Sequence, residues 1–205
     1  MGFSWAFYLT QEALREVVNR SLVNARSVTD FAKAPCLLDP APVVMIYADN
    51  GNHMGLSREQ VNDERALVDA ELNRVGLATH EVVEATTLVK VLGGMVDGVG
   101  LRVYPTPERL AGLEKALAVL VGGRPVSGQD LEHVVGHLLT VMMLFRLSLS
   151  FLGHVYDFIK DSYTQKQPLW PSVRKELGLI RGILPLCSKS LASETQPTER
   201  RRRRR

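Results

Sequence analysis

Val43-Val44-Met45-Ile46-Tyr47-Ala48-Asp49-Asn50-Gly51-Asn52 opens on four apolar residues that read as a buried strand. Tyr47 and Asp49 follow, and Asn50-Gly51 and Asn52-His53 offer a tight turn. The pattern predicts a hairpin over residues 43–55. Such a hairpin delivers a carboxylate to a turn tip, where it has little freedom left to lose. Its negative charge there suits a hard divalent cation such as magnesium, held near a phosphate. The plainer reading of the same residues is a hairpin with a solvated aspartate.

Outward from the hairpin, residues 5–24 read as a helix. Trp5, Tyr8, Leu9, Leu14, Val17 and Val18 share its apolar face, with Glu12, Arg15 and Arg20 outside it. Residues 25–42 contain Pro35, Pro40 and Pro42 and read as a loop. Ser57 with Gln60 three residues on is a capping-box pattern, and Gly76 ends the helix it starts. Leu67, Val68, Leu72 and Val75 are expected to face the sheet.

Thr79 to Val83 and Leu88 to Val96 are β-rich, Asp97-Gly98 is a turn signal, and Leu101 to Tyr104 is expected to pair back. Thr106-Pro107 caps a helix carrying Leu110, Leu113, Leu117 and Leu120 on one face, stopped by Gly122-Gly123. Ser127 with Asp130 caps the next helix, expected to reach Phe145 or beyond. Residues 147–163 read as helical, and Pro171 starts a last helix ending near Gly182. From Leu186 on, the Ser, Thr, Glu and Pro content reads as a disordered tail.

This order predicts an α+β fold: a small mixed sheet backed by helices over residues 1–104, a helical subdomain over 105–185, and a basic tail over 186–205. The chain has 205 residues, 45% of them hydrophobic, enough for one substantial core or a core plus a smaller helical unit. Cys36 and Cys187 give neither a disulfide framework nor a metal-ligand spacing, and fit a reducing, intracellular compartment.

The net charge of +3 rests on Arg200, Arg201, Arg202, Arg203, Arg204 and Arg205. The remaining 19 basic and 22 acidic residues leave the body at −3. A protein that grips a duplex gains affinity by neutralising phosphates with Lys and Arg, and this body lacks that excess. The arginine run fits nucleic-acid binding, a nuclear import signal, or an accident of where the reading frame ends. Secretory and myristoylation signals are not evident, since Gln11, Glu12 and Arg15 interrupt the first apolar run and Ala6 stands where Ser or Thr is wanted. Leu131 to Ile159 is long enough to span a bilayer, but His133, His137, Arg146 and His154 break it. An arginine in mid-span costs ~2.5 kcal/mol or more. The segment reads as buried core or a partner-facing helix, and no membrane contact is expected.

Met1-Gly2-Phe3-Ser4-Trp5-Ala6 before a helical run, then Tyr47-Ala48-Asp49-Asn50, then Gly76-Leu77 and Leu92-Gly93, together resemble a reverse transcriptase. The likeness is to enzymes of protist, especially dinoflagellate-type, retroelements. Pro107-Glu108-Arg109-Leu110, Val126-Ser127-Gly128, Val135-Gly136-His137 and Leu169-Trp170-Pro171-Ser172 resemble the region after the palm in the same elements. The resemblance covers roughly residues 1–186.

It implies RNA-directed DNA synthesis with Mg²⁺ on a nucleic-acid template. Tyr47, Asp49 and Asn50 would be the catalytic hairpin, with Asp49 the metal ligand. Gly2 and Phe3 would lie on the nucleotide and template side. Nucleotidyl transfer on two metal ions needs several converging carboxylates. In the family an earlier palm strand supplies one and the hairpin supplies two. Here the earlier strand is expected before Met1, the fingers are absent, and Asn50 replaces the second hairpin aspartate. Asp63 and Asp69 read as solvated helix residues and Asp97 as a turn residue. No lysine closely follows Gly76-Leu77; the nearest is Lys90. His133, His137 and His154 lack a Cys or carboxylate companion and read as surface or core-edge residues. The expectation is a truncated, inactive palm derivative. A non-catalytic nucleic-acid-binding or interaction module, using the arginine tail and exposed apolar helices, is the alternative. The missing half of a palm would leave faces free for a protein partner or self-association.

Overall fold

The computed structural model describes residues 5–23, 25–29 and 32–192. The chain is α+β and divides between Thr86 and Thr87 into two compact units.

The first unit contains α1 (Ala6–Ser21), β1 (Arg26–Val28), β2 (Val43–Tyr47), β3 (Asn50–Met54) and α2 (Arg58–Arg74). Its sheet runs β1-β2-β3, with β1 parallel and β3 antiparallel to β2. Leu14, Val17, Val18 and Leu22 pack with Val44 and Val68 in one core. Each such side chain, fully buried, contributes about 1.5–3 kcal/mol. The helix faces are narrower than the periodicity predicts. Trp5, Tyr8 and Leu9 on α1 and Leu67 and Val75 on α2 are exposed, and Val61 joins Val68 as buried instead.

The hairpin forms where expected, but its turn sits two residues earlier. Tyr47 pairs with Asn50, so Ala48 and Asp49 make the turn and Asn50-Gly51 enters the strand. Ala48 takes the left-handed conformation, φ 53°, that Gly or Asn adopts more readily. The segment read as a proline loop also contains β1. Arg26 holds it, donating to the carbonyls of Ala41 (2.6 Å) and Cys36 (2.8 Å) and to Asp39 (2.7 Å). Ser57 accepts from the Gln60 amide at 3.3 Å to start α2. Gly76, φ 81°, ends it with Gly76 N to Asn73 O and Leu77 N to Leu72 O bonds, a Schellman closure.

Thr79–Val83 forms no strand. That segment is tied to α2 through side chains instead: Thr79 donates to Asp69, Arg58 reaches Glu84, and the Ala85 amide donates to Asn62.

The second unit contains β4 (Leu88–Val91), β5 (Gly94–Asp97), β6 (Arg102–Pro105), α3 (Pro107–Val121), α4 (Gly128–Met142), α5 (Gly153–Asp161), α6 (Pro171–Ile183) and β7 (Lys189–Ser190). Leu88–Val96 is not one strand. Leu92 (φ 48°) and Gly93 (φ 78°) fold it into a two-residue hairpin. The boundary expected after Tyr104 lies inside this unit, because β6 pairs with β5 on one side and β7 on the other. β7 and the buried Cys187 also place residues 186–192 in ordered structure rather than in a tail.

The core of this unit joins Leu113, Leu117, Leu131, Leu138, Phe158 and Leu177 from α3 to α6. Ser127 and Asp130 cap α4 reciprocally, each bond at 3.2 Å. Gly128–Phe151 is long and apolar enough to cross a membrane. It is not one straight helix: α4 stops at Met142, a 3₁₀ stretch follows, and Phe145 (φ −129°, ψ 72°) kinks it. Leu131, Val135, Leu138, Val141 and Met142 face the core.

Candidate functional site

The β2–β3 turn presents Asp49 to solvent. Its Oδ1 accepts from the Asn50 side-chain amide at 3.2 Å, so the two polar residues at the tip bond to each other. The Ala48 amide donates to Gln11 Oε1 at 3.3 Å, tying the turn to α1. The half-exposed Tyr47 ring meets Phe7 edge to face, centroids 5.2 Å apart. Trp5 and Tyr8 form a second such pair at 6.0 Å. Tyr47, Asp49 and Asn50 therefore share one hairpin tip, whose Tyr47 ring rests against Phe7 of α1.

Among the described residues, the Asp49 carboxylate takes its hydrogen bond from Asn50, and Asp63, Asp69 and Asp97 lie in their own settings. Asp63 is exposed on α2, and Asp69 pairs with Arg65 at 3.0 Å. Asp97 closes a turn, accepting from the amides of Val99 and Gly100 at 3.0 and 2.8 Å. Among the described residues, no three His, Cys, Asp or Glu side chains converge as a metal site. One exposed carboxylate bonded to an amide does not fit a two-magnesium centre, because Mg²⁺ gives up its water reluctantly. His133, His137 and His154 are exposed on α4 and α5. Gly2, Phe3 and Arg200 to Arg205 lie outside the described residues.

No protein-family model matches the chain, and no curated protein matches it either.

A second group of charged residues, on β3 and α2, is partly buried inside the first unit. His53 on β3 turns its ring inward, its side chain only 6% exposed. Its Nδ1 is buried without a hydrogen-bond partner, and Glu64 Oε2 stands 3.9 Å away, too far for a hydrogen bond. Burial holds the imidazole below its usual pKa; Asp69 opposes that shift and Arg65 reinforces it. Burial also pushes the Glu64 carboxyl upward. Asp69 is half-buried in this network rather than solvated, because α2 turns that face toward β3. Nothing in the residue pattern marks His53, whose neighbours Asn52 and Met54 are partly buried as it is, and whose inward turn depends on which side of β3 meets α2.

Glu64 also lines a groove of about 480 Å³ with Ser21, Leu22, Arg26, Pro42 and Leu67. The groove is largely apolar, and the charge of Arg26 is already taken up by Asp39.

Proposed function

We propose that the chain derives from a reverse transcriptase, retaining the later part of a palm around the β2–β3 hairpin and a helical region after it. The observation that carries the reading is Asp49 at the exposed tip of a tight hairpin, two residues after Tyr47 and backed by α1 and α2. Ancestral activity would be nucleotidyl transfer on a nucleic-acid template. The chain by itself does not polymerise, since one formal charge at the tip leaves a magnesium pair without ligands.

Primer extension with purified protein, Mg²⁺ and all four deoxynucleotides tests this against Asp49→Ala. Neither protein is expected to extend the primer, and Asp49-dependent incorporation would overturn the inactivity. Descent is tested separately in the DNA upstream of codon 1. Traces of a palm strand with a further aspartate are expected there, and an unrelated sequence counts against the reading.

A second reading, an interaction protein, is favoured by the exposed large apolar side chains at the start of α1 and on Tyr47. Trp5, Phe7, Tyr8, Leu9 and Tyr47 are each about half exposed or more, and exposed apolar patches mark contact surfaces. It predicts self-association by light scattering coupled to size exclusion, reversed by Trp5→Ser with Tyr8→Ser. A wild-type chain that stays monomeric at high concentration argues against self-association.

A further inference from the structure

We propose that His53 and Glu64 form a proton-operated relay in which acidification draws the Glu64 carboxylate out of the groove wall and onto the His53 ring. Three observations converge on it. The ring is buried between β3 and α2 with Nδ1 unpartnered. Glu64 Oε2 stands 3.9 Å from that nitrogen, within ion-pair range and a few tenths of an ångström beyond hydrogen-bond reach. The same carboxylate belongs to the groove lining.

Among the described residues, the charged groups acting on the ring come from α2: Asp69 and Arg65 by their charge, and Glu64 at 3.9 Å. Asp69 is engaged by Arg65 and by the Thr79 hydroxyl. β2 presents only Val44 opposite His53. When the imidazole takes a proton from water, Nδ1 becomes a cationic donor with no partner. Glu64 is the anion free to turn toward it and accept.

The sign follows from burial. His53 holds its proton less tightly folded than unfolded, so the unfolded chain binds it first. Its contribution to stability is complete above about pH 6.5 and is lost as pH falls through the lower, folded value. Glu64, shifted upward, works in the opposite sense, favouring the fold as pH falls toward the carboxylate range. The relay is thus a charge movement within a folded unit, centred below pH 6.5.

An NMR titration of the full chain from pH 7.5 to 5 reads it directly. The His53 ring carbon, the Glu64 carboxyl carbon and the amides of Leu22, Ala25 and Arg26 are expected to step at one midpoint. In Glu64→Gln the His53 midpoint is expected to fall by about half a unit, roughly threefold in proton affinity, and the groove amides to stop responding. Asp69→Asn is expected to shift the His53 midpoint while leaving the groove steps intact. Groove amides that stay flat in the wild-type chain, or a midpoint indifferent to Glu64→Gln, overturn the relay. So does cooperative unfolding of the first unit before His53 titrates. If Glu64→Gln does not fold, coincidence of the wild-type His53 and Glu64 steps decides alone.

Discussion

Phe158→Ala is expected to destabilise the helical unit by about 3–5 kcal/mol, a large share of the whole for a unit of this size. Phe158 is fully buried, with Leu117, Leu131, Leu138 and Leu177 in the same core. Its ring stands edge to face with Trp170, centroids 5.4 Å apart and planes at 78°, which adds to the area term. The hole cannot readily collapse. Trp170 immediately precedes Pro171, the first residue of α6, and α5 packs against both α4 and α6. Urea unfolding followed by Trp170 fluorescence, in a Trp5→Phe background, measures the loss. A cost below about 1 kcal/mol would mean that the ring is not enclosed as described.

Gly128→Ala is expected to cost about 3 kcal/mol, although alanine is the better helix former by up to about 1 kcal/mol. A Cβ there would stand 2.5 Å from the Ile159 carbonyl oxygen, 2.9 Å from Tyr163 Cα and 3.0 Å from Ile159 Cα. All three are main-chain atoms, so no side chain can swing away. The junction is also bonded, with the Gly128 amide donating to Ser162 O at 2.7 Å and Gln129 to Tyr163 O at 3.0 Å. Separating α4 from the end of α5 would stretch both bonds. Gly136→Ala, in the same helix with nothing within 4 Å of the added carbon, is the control. It is expected to stabilise by up to about 1 kcal/mol. Paired thermal melts read the contrast, and a Gly128→Ala protein as stable as Gly136→Ala would refute the close approach.

Local chemistry was legible in the residues. Ser57, Thr106 and Ser127 cap helices where their side chains can reach the third amide on. Gly76 and Gly122 sit at helix ends as expected. What tertiary contact decides was not legible. β1 is three residues long and exists through pairing with β2 and the reach of Arg26. Val82 and Val83 favour a strand, yet Asn62 and Asp69 hold their segment along a helix. The hairpin turn moved because pairing of Tyr47 with Asn50 outweighed the Asn-Gly preference, at the expense of a left-handed Ala48.

For the candidate site, the tip position of Asp49 could be read from its strand, since apolar residues run up to it. The inward turn of His53 could not, because it depends on which face of β3 meets α2. Nor could the narrowing of the α1 face, which leaves Trp5, Tyr8 and Leu9 exposed.

β7 carries a consequence for synthesis. Lys189 and Ser190 complete a sheet whose other strands end at Pro105. The ribosome therefore finishes every described element from α1 to α6 before that strand exists. Closing so long a loop is entropically unfavourable until the helices have drawn its ends together. The strand edge of β6 is left bare in the nascent chain until then, and β7 is the piece that covers it.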